Sequence, residues 1–178
     1  MRIAHIVWGI FQIGVILKLS YNEAHEFKWT NLVCESLNKS WVVIHNCRLR
    51  AVNRNKTTLI LNGTILHPAN DILAKVQLLK KENGYKPWLY SVNIDVCRFM
   101  KKPYNPVAIL MFKMFKEFTN INHACPFIGP QIVNGAYLNL KFLPNLLPSG
   151  DYQVATNWYF DKRPQFQTKV YFTFKEDL

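Results

Sequence analysis

From Trp88 to Val96 every second residue is large and apolar (Trp88, Tyr90, Val92, Ile94, Val96), and the residues between them include Ser91, Asn93 and Asp95. A repeat of two is that of a β-strand with one face buried and the other wet, because successive side chains of an extended backbone point to opposite sides. A helix repeats every 3.6 residues and cannot bury this pattern.

The same alternation runs through Ile72, Ala74, Val76 and Leu78; through Leu138, Leu140 and Phe142; through Tyr152, Val154, Thr156, Trp158 and Phe160; and through Phe166, Thr168, Val170, Phe172 and Phe174. The stretches 27–35, 41–52 and 57–66 are β-rich, and in the last of them Leu59, Leu61 and Ile65 share one face while Asn62 takes the other. Turn residues separate the runs at Asn53-Arg54-Asn55, His67-Pro68, Glu82-Asn83-Gly84, Pro148-Ser149-Gly150-Asp151 and Asp161-Lys162-Arg163-Pro164. About eight strands at this spacing predict an all-β chain, an antiparallel sandwich or barrel. One segment departs from the rule. After Pro103 and Pro106, the apolar run 107–118 places Lys113, Lys116 and Glu117 three and four residues apart, which predicts a short, mostly buried helix over 106–118 with Asn105 as its cap.

The chain has 178 residues, 49% of them apolar and 14% aromatic, with few glycines, so it can bury one sizeable core and is neither disordered nor fibrous. Its start reads as an export signal. Met1 and Arg2 precede the run from Ile3 to Leu17, apolar but for His5 and Gln12, and Lys18, Ser20 and Asn22 return the chain to polarity. The run falls short of the ~20 residues that cross a bilayer, so residues 1–24 are expected to be a signal peptide cut between Ser20 and Glu26, with no stable membrane span. The mature chain, 25–178, is then one secreted, extracellular domain. Asn38-Lys39-Ser40, Asn55-Lys56-Thr57 and Asn62-Gly63-Thr64 are acceptor sequences for N-glycans at Asn38, Asn55 and Asn62. Four cysteines, Cys34, Cys47, Cys97 and Cys125, follow the signal, and an even count in an exported chain predicts two disulfides with three possible pairings. Zinc ligands come in close pairs, whereas the tightest cysteine spacing here is thirteen, so no metal site and no cofactor is expected.

The net charge of +11 is strongly basic, yet the basic residues stand singly or in pairs such as Lys80-Lys81 and Lys101-Lys102, without a nucleic-acid motif. For an exported chain, anionic headgroups, acidic ligands or sulfated glycans are the better match to such a surface, and a solvated face is the plainer reading. No nucleophile elbow, phosphate loop or metalloprotease motif is present. His45, His67 and His123 read as structural residues, and Asp95, Asp151 and Asp161 sit at strand ends where Asp supplies turn and cap hydrogen bonds. The expectation is a binding protein, not an enzyme.

NLVCESLNKSWVV at 31–43, Cys47-Arg48-Leu49, NGYKPWLYSVNIDVCRFM at 83–100, HACPFIG at 123–129, LPSGDY at 147–152 and VYFTF at 170–174 together resemble a family of secreted insect proteins, domain of unknown function 1091. That family is similar to the ML superfamily of lipid-recognition sandwiches and to the ganglioside-activator-like chemosensory proteins of insects. The resemblance implies an immunoglobulin-like β-sandwich whose sheets part around a hydrophobic cavity, with a lipid or other hydrophobic small molecule as partner and room for a cell-surface receptor. It implies that Cys97 and Cys125 staple the loop carrying the helix and that Cys34 pairs with Cys47. By the same analogy Trp88, Tyr90, Val92, Ile94, Trp158 and Phe172 would line the cavity, with Ile109, Phe112 and Phe115 near its mouth and Lys101, Lys102 and Lys113 at its rim. The rival expectation is a protein-interaction module with the same sandwich, a filled core and no ligand.

Overall fold

The computed structural model describes residues 26–54, 56–137 and 147–176. The expected signal segment, the glycan acceptor Asn55 and the alternating run Leu138, Leu140 and Phe142 lie outside the described residues. Ten elements follow in chain order: β1 (Glu26–Ser36), β2 (Val42–Ala51), β3 (Thr57–Ala69), β4 (Ile72–Glu82), β5 (Gly84–Asp95), α1 (Val96–Lys101), α2 (Pro106–Phe115), β6 (Phe127–Ala136), β7 (Gly150–Phe160) and β8 (Arg163–Lys175). A short 3₁₀ turn, Lys116–Phe118, extends α2.

The strands form two antiparallel sheets, one ordered β1-β8-β7-β4-β5 and the other β2-β3-β6. Of the two all-β architectures that the alternation predicts, this is the sandwich, as the family resemblance implies. Tight hairpins set the register of the larger sheet. Gly84 turns β4 into β5 at φ +92°, in the region that glycine enters without strain. Asp161 and Lys162 at φ 48° and 62° join β7 to β8 across the Phe160–Arg163 pair, the two-residue turn whose twist matches that of the strands.

Three local expectations are corrected. The alternation of β5 continues on paper to Val96, but the strand stops at Asp95, whose side chain accepts the Arg98 N–H at 2.9 Å and caps α1. His67 and Pro68 make no turn. They lie in β3 where its register against β6 slips between Ile65 and Ala69, so the missing N–H of Pro68 removes no regular ladder bond. β6 carries Gly129, Pro130 and Gly135, residues that would weaken an inner strand, and they are tolerated because β6 is an edge strand. Helix α2 begins as predicted, with Pro106 in the first turn and the Asn105 side chain accepting the Ala108 N–H at 3.1 Å, but none of its side chains is fully buried.

The disulfides are Cys34–Cys47 and Cys97–Cys125, the pairing that the resemblance implies, and no free cysteine remains. Their placement gives the sandwich a closed side and an open side. Cys34–Cys47 ties edge strand β1 of the larger sheet to edge strand β2 of the smaller, with Cα atoms 6.1 Å apart. On the opposite side the edges are β5 and β6, and the chain between them is the α1–α2 segment, tied at its ends by Cys97–Cys125 with Cα atoms 5.4 Å apart. The double change Cys97→Ala/Cys125→Ala frees a loop with a sequence separation of 28. It is expected to lower stability by roughly 3 kcal/mol on the chain-entropy model, read as a lower denaturation midpoint under non-reducing conditions.

Candidate functional site

Pairing across the larger sheet places its inward side chains in rows. One row is Val92, Val76, Thr156 and Thr168, ending at Cys34. Beside it on one flank run Leu78, Val154, Val170 and Leu32, followed by Tyr152, Phe172 and Trp29. On the other flank run Ile94, Ala74, Trp158 and Phe166. The centre is built of small β-branched residues and the two ends of aromatics. Rows of unequal height hold the facing sheet away from the middle.

The aromatic ends are close-packed. At one, the Tyr152 ring stacks on Phe172 at 5.2 Å, Phe172 meets Phe27 and Trp29 at 4.9 and 6.1 Å, and Trp88 lies against Tyr152 at 5.5 Å. At the other, Trp158 stacks on Phe166 at 5.2 Å and Phe160 meets Trp41 and Phe166 at 6.1 and 6.0 Å. Between them the inward positions Val76, Val154, Thr168 and Val170 are only half-buried, although their strands lie inside the sheet. They look onto empty space.

That space is a cavity of about 620 Å³, inside the ~300–1,000 Å³ range of small-molecule pockets. Its floor is the small-residue row, its roof includes Leu59, Leu61, Ile65 and Val133 of the smaller sheet, and its cover is α2 through Val107, Leu110, Met111 and Met114. With no side chain at Gly63, the neighbours Asn62 and Thr64 also border it. Gly63 is required here, since a Cβ would lie 2.9 Å from the Val43 carbonyl oxygen, opposite the bulge between Ile44 and Asn46.

Tyr90, Val92, Ile94, Phe112, Phe115, Trp158 and Phe172 line this cavity, whereas Trp88 and Ile109 do not. The register of β4 against β5 slips between Gln77 and Leu79, and Trp88 lies at the aromatic end against Tyr152, under the Lys80 ammonium at 5.5 Å. Ile109 is turned away by helix phase. At about 100° per residue it falls opposite Val107, Met111 and Met114, and it packs instead on Ala74, Ile94 and Phe99. The contributions of Val76, Thr156, Thr168 and Val170 are not among the expected wall residues, although they stand in the same inward phase as residues that are.

Tyr152 shows how dry the end wall is. Its side chain is fully buried and its hydroxyl donates to the Pro148 carbonyl at 2.6 Å. Burial, with a smaller contribution from Glu176, pushes its phenol above the ordinary value near 10. A raised acid pKa in the folded state stabilises the fold below the unfolded value and is lost as pH rises through the folded one. Tyr152→Phe is therefore expected to cost about 1 kcal/mol at neutral pH for the lost hydrogen bond, and to show a shallower fall in denaturation midpoint above about pH 10 than the unaltered protein.

Of the glycan acceptors, Asn38 lies between β1 and β2, its side-chain oxygen accepting from the Ser40 backbone and hydroxyl at 3.2 and 2.7 Å. Asn62 is half-buried in β3, out of phase with the buried Leu59, Gly63 and Ile65. Lys101, Lys102 and Lys113 are exposed beside the cover, outside the cavity wall. His45 bonds Thr64 at 2.8 Å and His123 bonds the Ala124 carbonyl at 2.8 Å. Among the described residues no three His, Cys, Asp or Glu side chains gather as metal ligands, and no helix is long and apolar enough to cross a membrane.

Fold and void together define a two-sheet β-sandwich with an apolar internal cavity. Residues 74–154 match the model of a family described as protein of unknown function (DUF1091), so the family resemblance carried by the sequence motifs is shown over that segment. The matched segment holds most of β4 and all of β5, both helices and β6, and with them the cavity cover and Cys97–Cys125. No curated protein matches the chain.

Proposed function

We propose that this is a secreted carrier or sensor protein that holds a lipid or similar hydrophobic small molecule between its sheets. The observation that carries the reading is the cavity of about 620 Å³ walled by apolar side chains. Apolar side chains that face an unfilled space of this size forgo the packing contacts of a filled core, and an apolar ligand restores them. Water gains little there, because a buried water needs several polar partners. An acyl chain or ring system gains about 0.8 kcal/mol for each methylene it buries.

Three features support the reading further. The cover α2 brings two methionines and several aliphatic side chains to the cavity, a wall that adapts to ligand shape. The family resemblance leads to lipid-recognition sandwiches used in lipid transport and chemosensation. Two disulfides and the basic charge suit an extracellular protein, and the leading apolar run supplies the export signal. An interaction module with a filled core would bury Val76, Val154 and Val170 completely, and they are only half-buried.

Uptake of an apolar fluorophore such as Nile red tests the proposal. The expected result is saturable, one-to-one binding with a blue-shifted emission, reversed by competing lipids. Emission unchanged from that in buffer would count against a ligand cavity.

A further inference from the structure

We propose that the natural ligand is an uncharged lipid, a long hydrocarbon or ring system bearing at most a hydroxyl or carbonyl group, and not a fatty-acid anion or phospholipid. The inference rests on the cavity-binding reading and narrows it. Among the described residues that line the cavity there is no Asp, Glu, Lys, Arg or His. Every polar residue that borders the cavity is neutral, the most polar being Asn62, Thr64, Thr119, Gln131, Thr156 and Thr168. The cations nearest in sequence to the cover, Lys101, Lys102, Lys113 and Lys116, are all exposed to solvent and none lines the void. A carboxylate or phosphate drawn inside meets no counter-charge and loses its hydration, which costs far more than a neutral polar group does.

A second observation points the same way. Trp29 Nε1 and Gln131 Oε1 are buried without a hydrogen-bond partner, and both side chains belong to the cavity wall, at 5% and 8% exposure. One is a donor and the other an acceptor. A ligand hydroxyl can satisfy either atom and a ligand carbonyl can satisfy the Trp29 donor, and both do so without bringing a charge into the wall. The third such atom, Gln165 Oε1, lies outside the wall.

The test is displacement of Nile red from the mature protein by a hexadecyl series of one chain length: the alcohol, the methyl ester of the acid, the free carboxylate and the alkyl phosphate. All are held below their aggregation limits, at a pH well above the carboxylate range and at low and high salt. The expected result is that alcohol and ester displace the probe, while carboxylate and phosphate are weaker by about 100-fold or more at both salt levels. Equal or tighter binding of the carboxylate or phosphate would overturn the proposal and leave the cavity-binding reading standing. If Nile red binds and no member of the series displaces it, the proposal falls. If the probe does not bind at all, both readings fall together.

Discussion

Phe160→Ala is expected to lower the folding free energy by about 3–5 kcal/mol, the range for truncating a large aromatic in a core that cannot collapse around the gap. Phe160 is 1% exposed and packs with Val42, Ile65, Ala69, Ile72 and Phe127, which belong to both sheets. Its ring contacts to Trp41 and Phe166 complete the aromatic stack at one end of the sandwich. Removing it weakens a support that separates the sheets and joins new void to old. The check is equilibrium unfolding in urea followed by tryptophan fluorescence. Leu89→Ala serves as the control, since Leu89 is 67% exposed on edge strand β5 and its loss should stay within about 0.5 kcal/mol.

The double substitution Val76→Phe/Val92→Phe is expected to do the opposite: abolish ligand binding and leave the fold intact. The two valines are cross-strand partners on the cavity floor, and both are half-buried because they face the void. Added side-chain volume ordinarily strains a core by about 1–3 kcal/mol. Here it enters open space and takes the volume that the proposed ligand would fill. Affinity for an apolar fluorophore should fall by two orders of magnitude or more while the unfolding midpoint holds or rises. Ser91→Phe, on the wet face of β5 and paired with Gln77, should leave affinity unchanged.

The strands were legible wherever one face is dry and the other wet, as at Trp88–Asp95, Tyr152–Phe160 and Phe166–Phe174. Period-two alternation is a property of a single strand and needs no partner to be seen. The strand β6 was not legible, because its Gly129, Pro130 and Gly135 signal a loop until an edge position excuses them. Helix α1 was hidden by alternation that runs on to Val96, one residue past the cap. The disulfide pairing came from family resemblance alone, since four cysteines allow three arrangements.

The cavity was half legible. Phase told which side of each strand faces inward, which is why seven of the nine residues expected in the wall are there. Whether an inward residue packs or faces a void depends on cross-strand register, which aligns Val92, Val76, Thr156 and Thr168 into one low row between aromatic ends. Trp88 was misplaced because a register slip is invisible in one strand, and Ile109 because a helix that is apolar nearly all round does not announce which face turns inward.

The central claim is that the void between the sheets is occupied in the working protein, and the most direct measurement is native mass spectrometry of protein secreted from insect cells and purified without detergent. The account predicts, after enzymatic removal of any glycans, a species heavier than the mature polypeptide by one lipid-sized mass, which is lost on denaturation and recovered in the organic extract as an apolar small molecule. The bare mass of the polypeptide, with nothing in the extract and no uptake of added lipid, would contradict it.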